Sequence, residues 1–570
     1  MKIKCFVIGI FVFRSFLMTQ GQPNGIQLDV HFPYKYMEEV LPGTQRLTLE
    51  GDLSVKMLNG AHRFIEEKIF NSVHDRAKMW HRDLSSFSAY EKSIESNRQR
   101  FMSFIGVQDK TKPPHNYSMG PEAENQKILM QRIAVNEDAL IVAETAKYKV
   151  YQVRWTVLND VYGEGLLLEP KSRPLANIIA IPDADNTPEQ LAGLAPGIVA
   201  ESQFARHFAE NGYQVLIPVL ISRSLLFAGK TQQQTHREWI YRQAFHMGKH
   251  IIGYEVDKVI SAIDWFKQSK YKDLKIGVAG YNEGGLIAFY SGATDTRIDA
   301  TLVSGYFNSR QQVWDEPIYR NVFGLLSEFG DAEIASLIAP RSLVIEHSIV
   351  PDIVDEVLKT TETPGVIGGS PFTGYKGRLS TPSYASVDSE YHRIPALTKP
   401  GFQPCYLLSG PDHQAVRYGS KAALNQFTQL LVQAPFIKIS KNLPIDKRKT
   451  FDPKGRQIRQ VKELEDHIQG LVRDSDQERN RFFLYKVMPE FEKRTWSSKA
   501  YHPYYSPDHF VKETIAYRKY FQEDIIGKFE DKLLPPNPQT RKIYDKERWS
   551  GYEVVLEVYP HLMAAGILLI

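Results

Sequence analysis

The chain has 570 residues, 42% of them hydrophobic and 24% charged, with 70 Lys+Arg against 66 Asp+Glu and a net charge of +4. That length is too great for one core and calls for two or three domains, while the composition argues against a disordered or membrane-embedded class. Basic and acidic residues are well mixed, so there is no nucleic-acid footprint.

At the N-terminus, Lys2 and Lys4 precede an apolar run over residues 5–13, followed by Arg14, a second apolar patch, and Thr19 and Gly21 at cleavage-site spacing. This is the layout of a secretory signal peptide over residues 1–21, and it predicts a secreted or periplasmic protein with no membrane attachment after cleavage. Arg14 breaks the run of roughly 20 apolar residues that a membrane anchor needs. Cleavage would remove Cys5 and leave Cys405 as the one cysteine, so no intrachain disulfide is expected. No Cys/His cluster has zinc spacing, and nothing calls for a cofactor.

Residues 50–148 read as a helical prefix, mixed in charge over 58–104, with Phe64, Ile65, Ile69 and Val73 forming an apolar stripe expected to be core. Residues 149–440 alternate apolar runs with helical stretches, the pattern of a mostly parallel sheet flanked by helices. The predicted strands are 151–158, 165–169, 177–182, 214–220, 275–281, 300–307, 341–347 and 404–409. Between them, 202–211 and 248–270 show helical periodicity, with Tyr254, Val259, Ile263 and Phe266 on one face. Thr187, Pro188 and Glu189 make a helix start: a capping hydroxyl, proline at the first helical position and an acid at the positive dipole end.

The chain then repeats itself. Tyr151, Val153, Val157, Gly165, Leu167 and Leu168 match Tyr552, Val554, Val558, Gly566, Leu568 and Leu569 at a constant offset of 401 residues. Upstream, Arg98, Phe101, Ile105, Gly106, Pro113 and Pro114 are echoed in order by Arg518, Phe521, Ile526, Gly527, Pro535 and Pro536. The expectation is a second copy of the module, with its helical prefix over 450–545 and the first strands of a truncated second sheet domain over 546–570. Residues 566–570 are expected to find no complete sheet of their own, and residues from about 533 onward to be loosely attached.

Residues 276–285, Ile-Gly-Val-Ala-Gly-Tyr-Asn-Glu-Gly-Gly, carry the parts of a nucleophile elbow: an apolar strand, a sharp turn, glycines at 280 and 284 and an apolar helix behind. The fold class expected is therefore the α/β-hydrolase fold, with an eight-stranded, mostly parallel sheet. The tip residue is Asn282 rather than serine. Asparagine tolerates positive φ, so the turn's geometry alone accounts for it, and a carboxamide is not a useful nucleophile. Catalytic residues of this fold follow the order nucleophile, acid, histidine at strand tips, which selects Asn282, Glu346 and His413, with His347, Asp352 and Asp355 as rivals. Asp183 and Asp185 stand where many hydrolases place an oxyanion loop; an Asx turn is the preferred reading, with sugar hydroxyls or a hard cation as alternatives. Tyr306, Phe307, Trp314 and Tyr319 cluster after a strand end, as either packing or a glycan platform.

The segment from Gly280 to Gly285, the run from Arg297 to Phe307, the segment from Glu316 to Asn321 and Ile338-Ala339-Pro340-Arg341 resemble the acetyl xylan esterase and dienelactone hydrolase-like α/β hydrolases, in particular large secreted bacterial proteins with two such domains in tandem. The resemblance spans residues 58–570. It implies the hydrolase fold, an acylated carbohydrate as partner, and a first domain that lacks the serine while a second retains catalytic potential. No catalytic residue of the family transfers to Asn282. The leading expectation is a carbohydrate-esterase-like protein whose visible domain is catalytically degenerate and supports a second domain. The alternatives are a hydrolase with a carboxylate nucleophile, either Glu283 or an aspartate formed from Asn282, and a non-enzymatic glycan-binding module.

Overall fold

A computed structural model describes residues 38–107, 129–134, 140–228, 232–353, 377–399, 405–434, 443–489 and 507–570. The signal-peptide segment, Pro113, Pro114 and Asp355 lie outside them. The chain divides into two compact units, residues 68–528 and residues 1–67 together with 529–570.

The larger unit is built on one ten-stranded sheet. Its strands are β1 (Met130–Arg132), β2 (Ile141–Glu144), β3 (Tyr148–Leu158), β4 (Val161–Pro170), β5 (Asn177–Ile181), β6 (Gln214–Pro218), β7 (Ile276–Tyr281), β8 (Ala300–Ser304), β9 (Ser342–Glu346) and β10 (Cys405–Leu408). They lie in the order β10-β9-β8-β7-β5-β6-β4-β3-β1, with β2 also paired to β3. Neighbours from β10 to β6 are parallel. From β6 through β4 to β3 and β1 they are antiparallel. All eight predicted strands are present, and β1 and β2 extend the sheet upstream of residue 149. In β5, β6, β7 and β8 every residue is buried, because helices cover both faces; a strand buried on both faces reads as a continuous apolar run rather than an alternation.

The helix Ile251–Gln268 buries Tyr254, Val259, Ile263 and Phe266 as its periodicity predicts. The prefix helix Glu95–Phe104 packs behind the elbow helix Glu283–Thr294: Phe101 meets Tyr290 edge-on at 5.0 Å, and the Arg98 guanidinium donates to the carbonyls of Ala293 and Leu337. The predicted stripe on the first long helix, Leu53–Asp75, is not a continuous core: Phe64 is buried, but Ile65 is 46% exposed.

Thr187 caps a short helix, Pro188–Leu191, in a capping box with Gln190. Glu189 does more than favour the dipole. Its buried carboxylate takes both terminal nitrogens of Arg456, at 3.0 and 2.8 Å, and Arg448 at 3.3 Å. Arg456 lies on the long helix Pro453–Arg479, which also buries Val461, Leu464 and Ile468 and pairs Arg459 with Glu164 on β4.

The smaller unit holds β11 (Gln539–Lys546), β12 (Trp549–Tyr559) and β13 (Leu562–Leu569). The two-residue strand Gln45–Arg46 pairs parallel to β11, making a four-stranded sheet. Residues 539–569 are thus fixed in a sheet rather than loosely attached, and residue 545 falls inside β11 rather than at the end of a helical prefix.

The sequence repeat is reproduced in hydrogen-bond register. Every residue pair between β12 and β13 is a β3–β4 pair displaced by 401, including Tyr552↔Leu568 against Tyr151↔Leu167 and Val554↔Gly566 against Val153↔Gly165. The bulge between Glu557 and Tyr559 repeats that between Thr156 and Leu158, and the bulge between Lys542 and Tyr544 repeats that between Ile141 and Ala143. The turn residues Asp160 and His561 share left-handed φ values of 61° and 65°. Each hairpin also carries a long helix. In the larger unit it is Pro453–Arg479, started by the Asp452 cap. In the smaller unit it is the helix at Asp52, where Phe64 stacks on Tyr559 at 5.1 Å and Gly60 lies so close to the His561 carbonyl that no Cβ would fit. The helix that opens the first repeat therefore sits on the second repeat's hairpin, and the helix that opens the second sits on the first's.

Burial opposes the charge on Glu189, but Arg456 and Arg448 outweigh it and hold its carboxyl below the usual range. A depressed carboxyl stabilises the fold above its unfolded pKa, and that contribution is lost as pH falls through the acid range. Glu189→Ala should therefore cost about 3–5 kcal/mol at neutral pH by leaving the buried Arg456 without its carboxylate, while Arg448 keeps Asp446. Thermal denaturation of variant and parent should converge towards low pH.

Candidate active site

β7 ends at Tyr281, and the chain turns at Asn282, with φ 51° and ψ −111°, into the helix Glu283–Thr294. This is the predicted strained tip at the predicted residue. A Cβ at Gly280 would run into the Gly284 carbonyl, and one at Gly284 into the carbonyls of Ile181 and Pro182, so the turn closes only with glycine at both places. Asn282 is 1% exposed, and its Oδ1 accepts from Arg320 at 2.9 Å. Its buried Nδ2 has no hydrogen-bond partner, and the residue lies at the wall of a cleft of about 460 Å³. That cleft is walled by Tyr306, Asn308, Arg310, Arg320 and Arg378 among others, which is a predominantly polar surface.

Next to the tip, Glu283 is fully buried. Three arginines surround it: Arg320 Nε at 2.6 Å, Arg223 Nη2 at 3.2 Å and Arg237 Nη2 at 3.3 Å. Each arginine has a second anion, Glu316 for Arg320, Asp183 for Arg223 and Glu255 for Arg237. Desolvation alone would raise the Glu283 carboxyl, but the three guanidinium groups overcome it and hold it down to about 2.

Asp183 and Asp185 form neither an Asx turn nor a cation site. Asp183 binds Arg223 bidentately, at 2.9 Å on each oxygen, and Asp185 takes the Arg223 backbone N–H at 2.9 Å and its side chain at 3.0 Å. Asp183 Oδ1 also accepts the backbone N–H of Glu283 at 3.2 Å. The N–H of the residue after the nucleophile is one of the two oxyanion donors of an α/β hydrolase. Here that donor faces a carboxylate.

Glu346 ends β9, as the acid position requires, but it is 1% exposed and fully engaged. It accepts from Ser304 Oγ at 2.6 Å and from the backbone N–H groups of Gly419 and Ser420, both at 2.9 Å, fastening β8 and β9 to the start of the helix Lys421–Val432. His413 follows β10 in a short turn, exposed, with its ring stacked on Tyr384 at 4.2 Å. No hydrogen bond joins Asn282, Glu346 and His413; the order along the chain is kept without a triad's contacts. Of the rivals, His347 is buried and bonded through Nε2 to the Pro382 carbonyl at 2.9 Å, and Asp352 is exposed. Tyr306, Phe307 and Tyr319 are buried and Trp314 is 53% exposed, so the aromatic cluster is mostly packing.

Sequence reasoning missed Arg223, Arg237 and Arg320. Arg223 and Arg237 stand outside every motif, Arg320 lies in the segment from Glu316 to Asn321 without being singled out there, and only folding brings the three to Glu283. Among the described residues, no His, Cys, Asp or Glu group is placed to hold a metal ion, and no helix is long and apolar enough to cross a membrane.

With this geometry in view, the fold is that of the α/β hydrolases, and residues 165–327, which include the elbow, match the dienelactone hydrolase family model. Among solved structures, the chain is similar to a putative acetyl xylan esterase from Bacteroides fragilis (16% identity, 62% of this chain and 85% of that one, TM-score 0.38). It is similar to acetyl xylan esterase 1 from a Thermoanaerobacterium species (13%, 59% and 93%, 0.36) and to a glucuronoyl esterase from Solibacter usitatus (12%, 60% and 93%, 0.35). At these values the likenesses carry no argument about activity. No curated protein matches the chain.

Glu283→Gln should lower the melting temperature sharply, because it leaves three buried arginines short of an anion, at a cost of about 3–5 kcal/mol. The folded carboxyl titrates near 2, below the usual value, so its stabilisation is complete above about pH 5 and lost as pH falls towards 2. The gap between variant and parent, followed by scanning calorimetry, should narrow over that interval.

Proposed function

We propose that this chain is a carbohydrate-esterase-type α/β-hydrolase protein whose described hydrolase domain has lost ester chemistry and serves to bind ligand and support a second hydrolase module. One observation carries the reading: with a carboxamide at the tip, the adjacent N–H that should stabilise an oxyanion is already bonded to Asp183. A nucleophile is lacking at residue 282, and a negative charge stands where negative charge would develop. The carboxylate-nucleophile alternative is disfavoured because Glu283 is enclosed by arginines, is not among the groups lining the cleft, and is held in its least nucleophilic range. The cleft still offers amide, hydroxyl and guanidinium groups, which suit the hydroxyl and acyl oxygens of an acylated carbohydrate. Residues 1–21 direct the protein out of the cytoplasm in this reading, and the repeat supplies the second module.

Purified protein should hydrolyse p-nitrophenyl acetate and acetylated xylo-oligosaccharides no faster than a heat-inactivated control. Asn282→Ser alone should stay at that level, because Asp183 keeps the Glu283 N–H. Turnover by the unmodified chain that Asn282→Ala abolishes without lowering the melting temperature would overturn the reading.

By titration calorimetry, acetylated xylo-oligosaccharide should bind the unmodified chain. Asn308→Ala should weaken that binding roughly three- to tenfold, the worth of one hydrogen bond.

A further inference from the structure

The two hairpins are superposable in register, yet their outer edges differ. In the larger unit, Gly165, Leu166, Leu167 and Leu168 of β4 pair antiparallel with Pro218, Ile217, Leu216 and Val215 of β6. The strands approach so closely that a Cβ on Gly165 would be driven into the Ile217 carbonyl oxygen. Glycine there is a requirement of the neighbouring strand. In the smaller unit the counterpart is Gly566, and nothing lies within 4 Å of a Cβ built on it. The next residues, Ile567, Leu568 and Leu569, are 54%, 45% and 59% exposed, whereas Leu166, Leu167 and Leu168 are at most 1% exposed. Among the described residues no strand pairs with the outer edge of β13. The edge thus has the glycine, the apolar side chains and the register of a paired strand, and among the described residues it has no partner.

We infer that the outer edge of β13 at Gly566–Leu569 is a strand-acceptor site, and that its occupant is an apolar antiparallel strand of a second α/β-hydrolase module, the counterpart of β6. Backbone N–H and C=O groups of β13 supply the affinity, as in strand addition to any open edge. Gly566 sets the specificity, because it admits a strand at the β4–β6 spacing. A second copy of this chain is the rival occupant, but β13-to-β13 pairing gives no role to a glycine at 566. The inference rests on the repeat within the proposed reading and not on the loss of catalysis: an active esterase with the same edge would leave it standing.

The test uses the full chain and a synthetic peptide of residues 213–220, Tyr-Gln-Val-Leu-Ile-Pro-Val-Leu, flanked by lysines for solubility. Hydrogen exchange over residues 562–569 should be fast without the peptide, while residues 165–168 are protected, and should slow by about tenfold or more when it is added. Gly566→Val should leave the melting temperature unchanged, because no atom opposes the new side chain, and should abolish the peptide's protection. Gly165→Val, where the strand is present, should destabilise the larger unit. Protection that a scrambled peptide gives equally, protection that survives Gly566→Val, no protection by the peptide at all, or an edge already protected in a dimer of the unmodified chain would each overturn the assignment.

Discussion

The site is organised by one buried charge. Glu283 sits at the first turn of the elbow helix with no solvent access, and an isolated carboxylate there would be prohibitively costly. It is tolerated because Arg223, Arg237 and Arg320 converge on it, and those cations are tolerated because Asp183, Glu255 and Glu316 answer them. A network of this kind holds only if complete, since removing one member leaves a desolvated charge. It fixes the strand end at Asp183, the loop at Arg223, the helix at Arg237 and the short turn at Arg320 around the elbow. The elbow's strained tip is held by this surround.

The same network bears on chemistry. Arg223 orients Asp183 through two bonds, and Asp183 in turn takes the Glu283 N–H. Arg320 donates to the Asn282 side-chain oxygen, Oδ1. Both the N–H after the tip and the tip side chain itself are thereby incorporated into a structural cluster. Glu346 has gone the same way: a carboxylate at the acid position is spent on Ser304 and two backbone N–H groups, where it ties strands to a helix. What remains open is the cleft itself, with Asn282 in its wall.

The repeat explains an otherwise odd connectivity. The long helix Pro453–Arg479 follows the hydrolase sheet in sequence yet packs onto its first hairpin, and the long helix beginning near Asp52 packs onto a hairpin almost 500 residues away, as the Met57–Ala565 contact shows. Each hairpin thus packs against the helix that opens the other repeat.

The sequence by itself determined the elbow and the strands. Period, glycine placement and continuous apolar runs are local, and the positive φ at Asn282 follows from the four residues around it. It also determined the repeat, whose constant offset reappears as identical register because strand pairing follows residue spacing. Chain order suggested Glu346 and His413 as partners of Asn282, and here order misled: at a strand tip, which neighbour a carboxylate finds depends on loop paths that no periodicity encodes. Only the tertiary structure decided the partners of Glu283, which lie 37 and 46 residues away in Arg320 and Arg237. The carboxylate on its N–H comes from 100 residues away. Buried ion pairs form between groups that folding brings into the same dry volume, and a lone arginine in a loop carries no sign of which volume that will be.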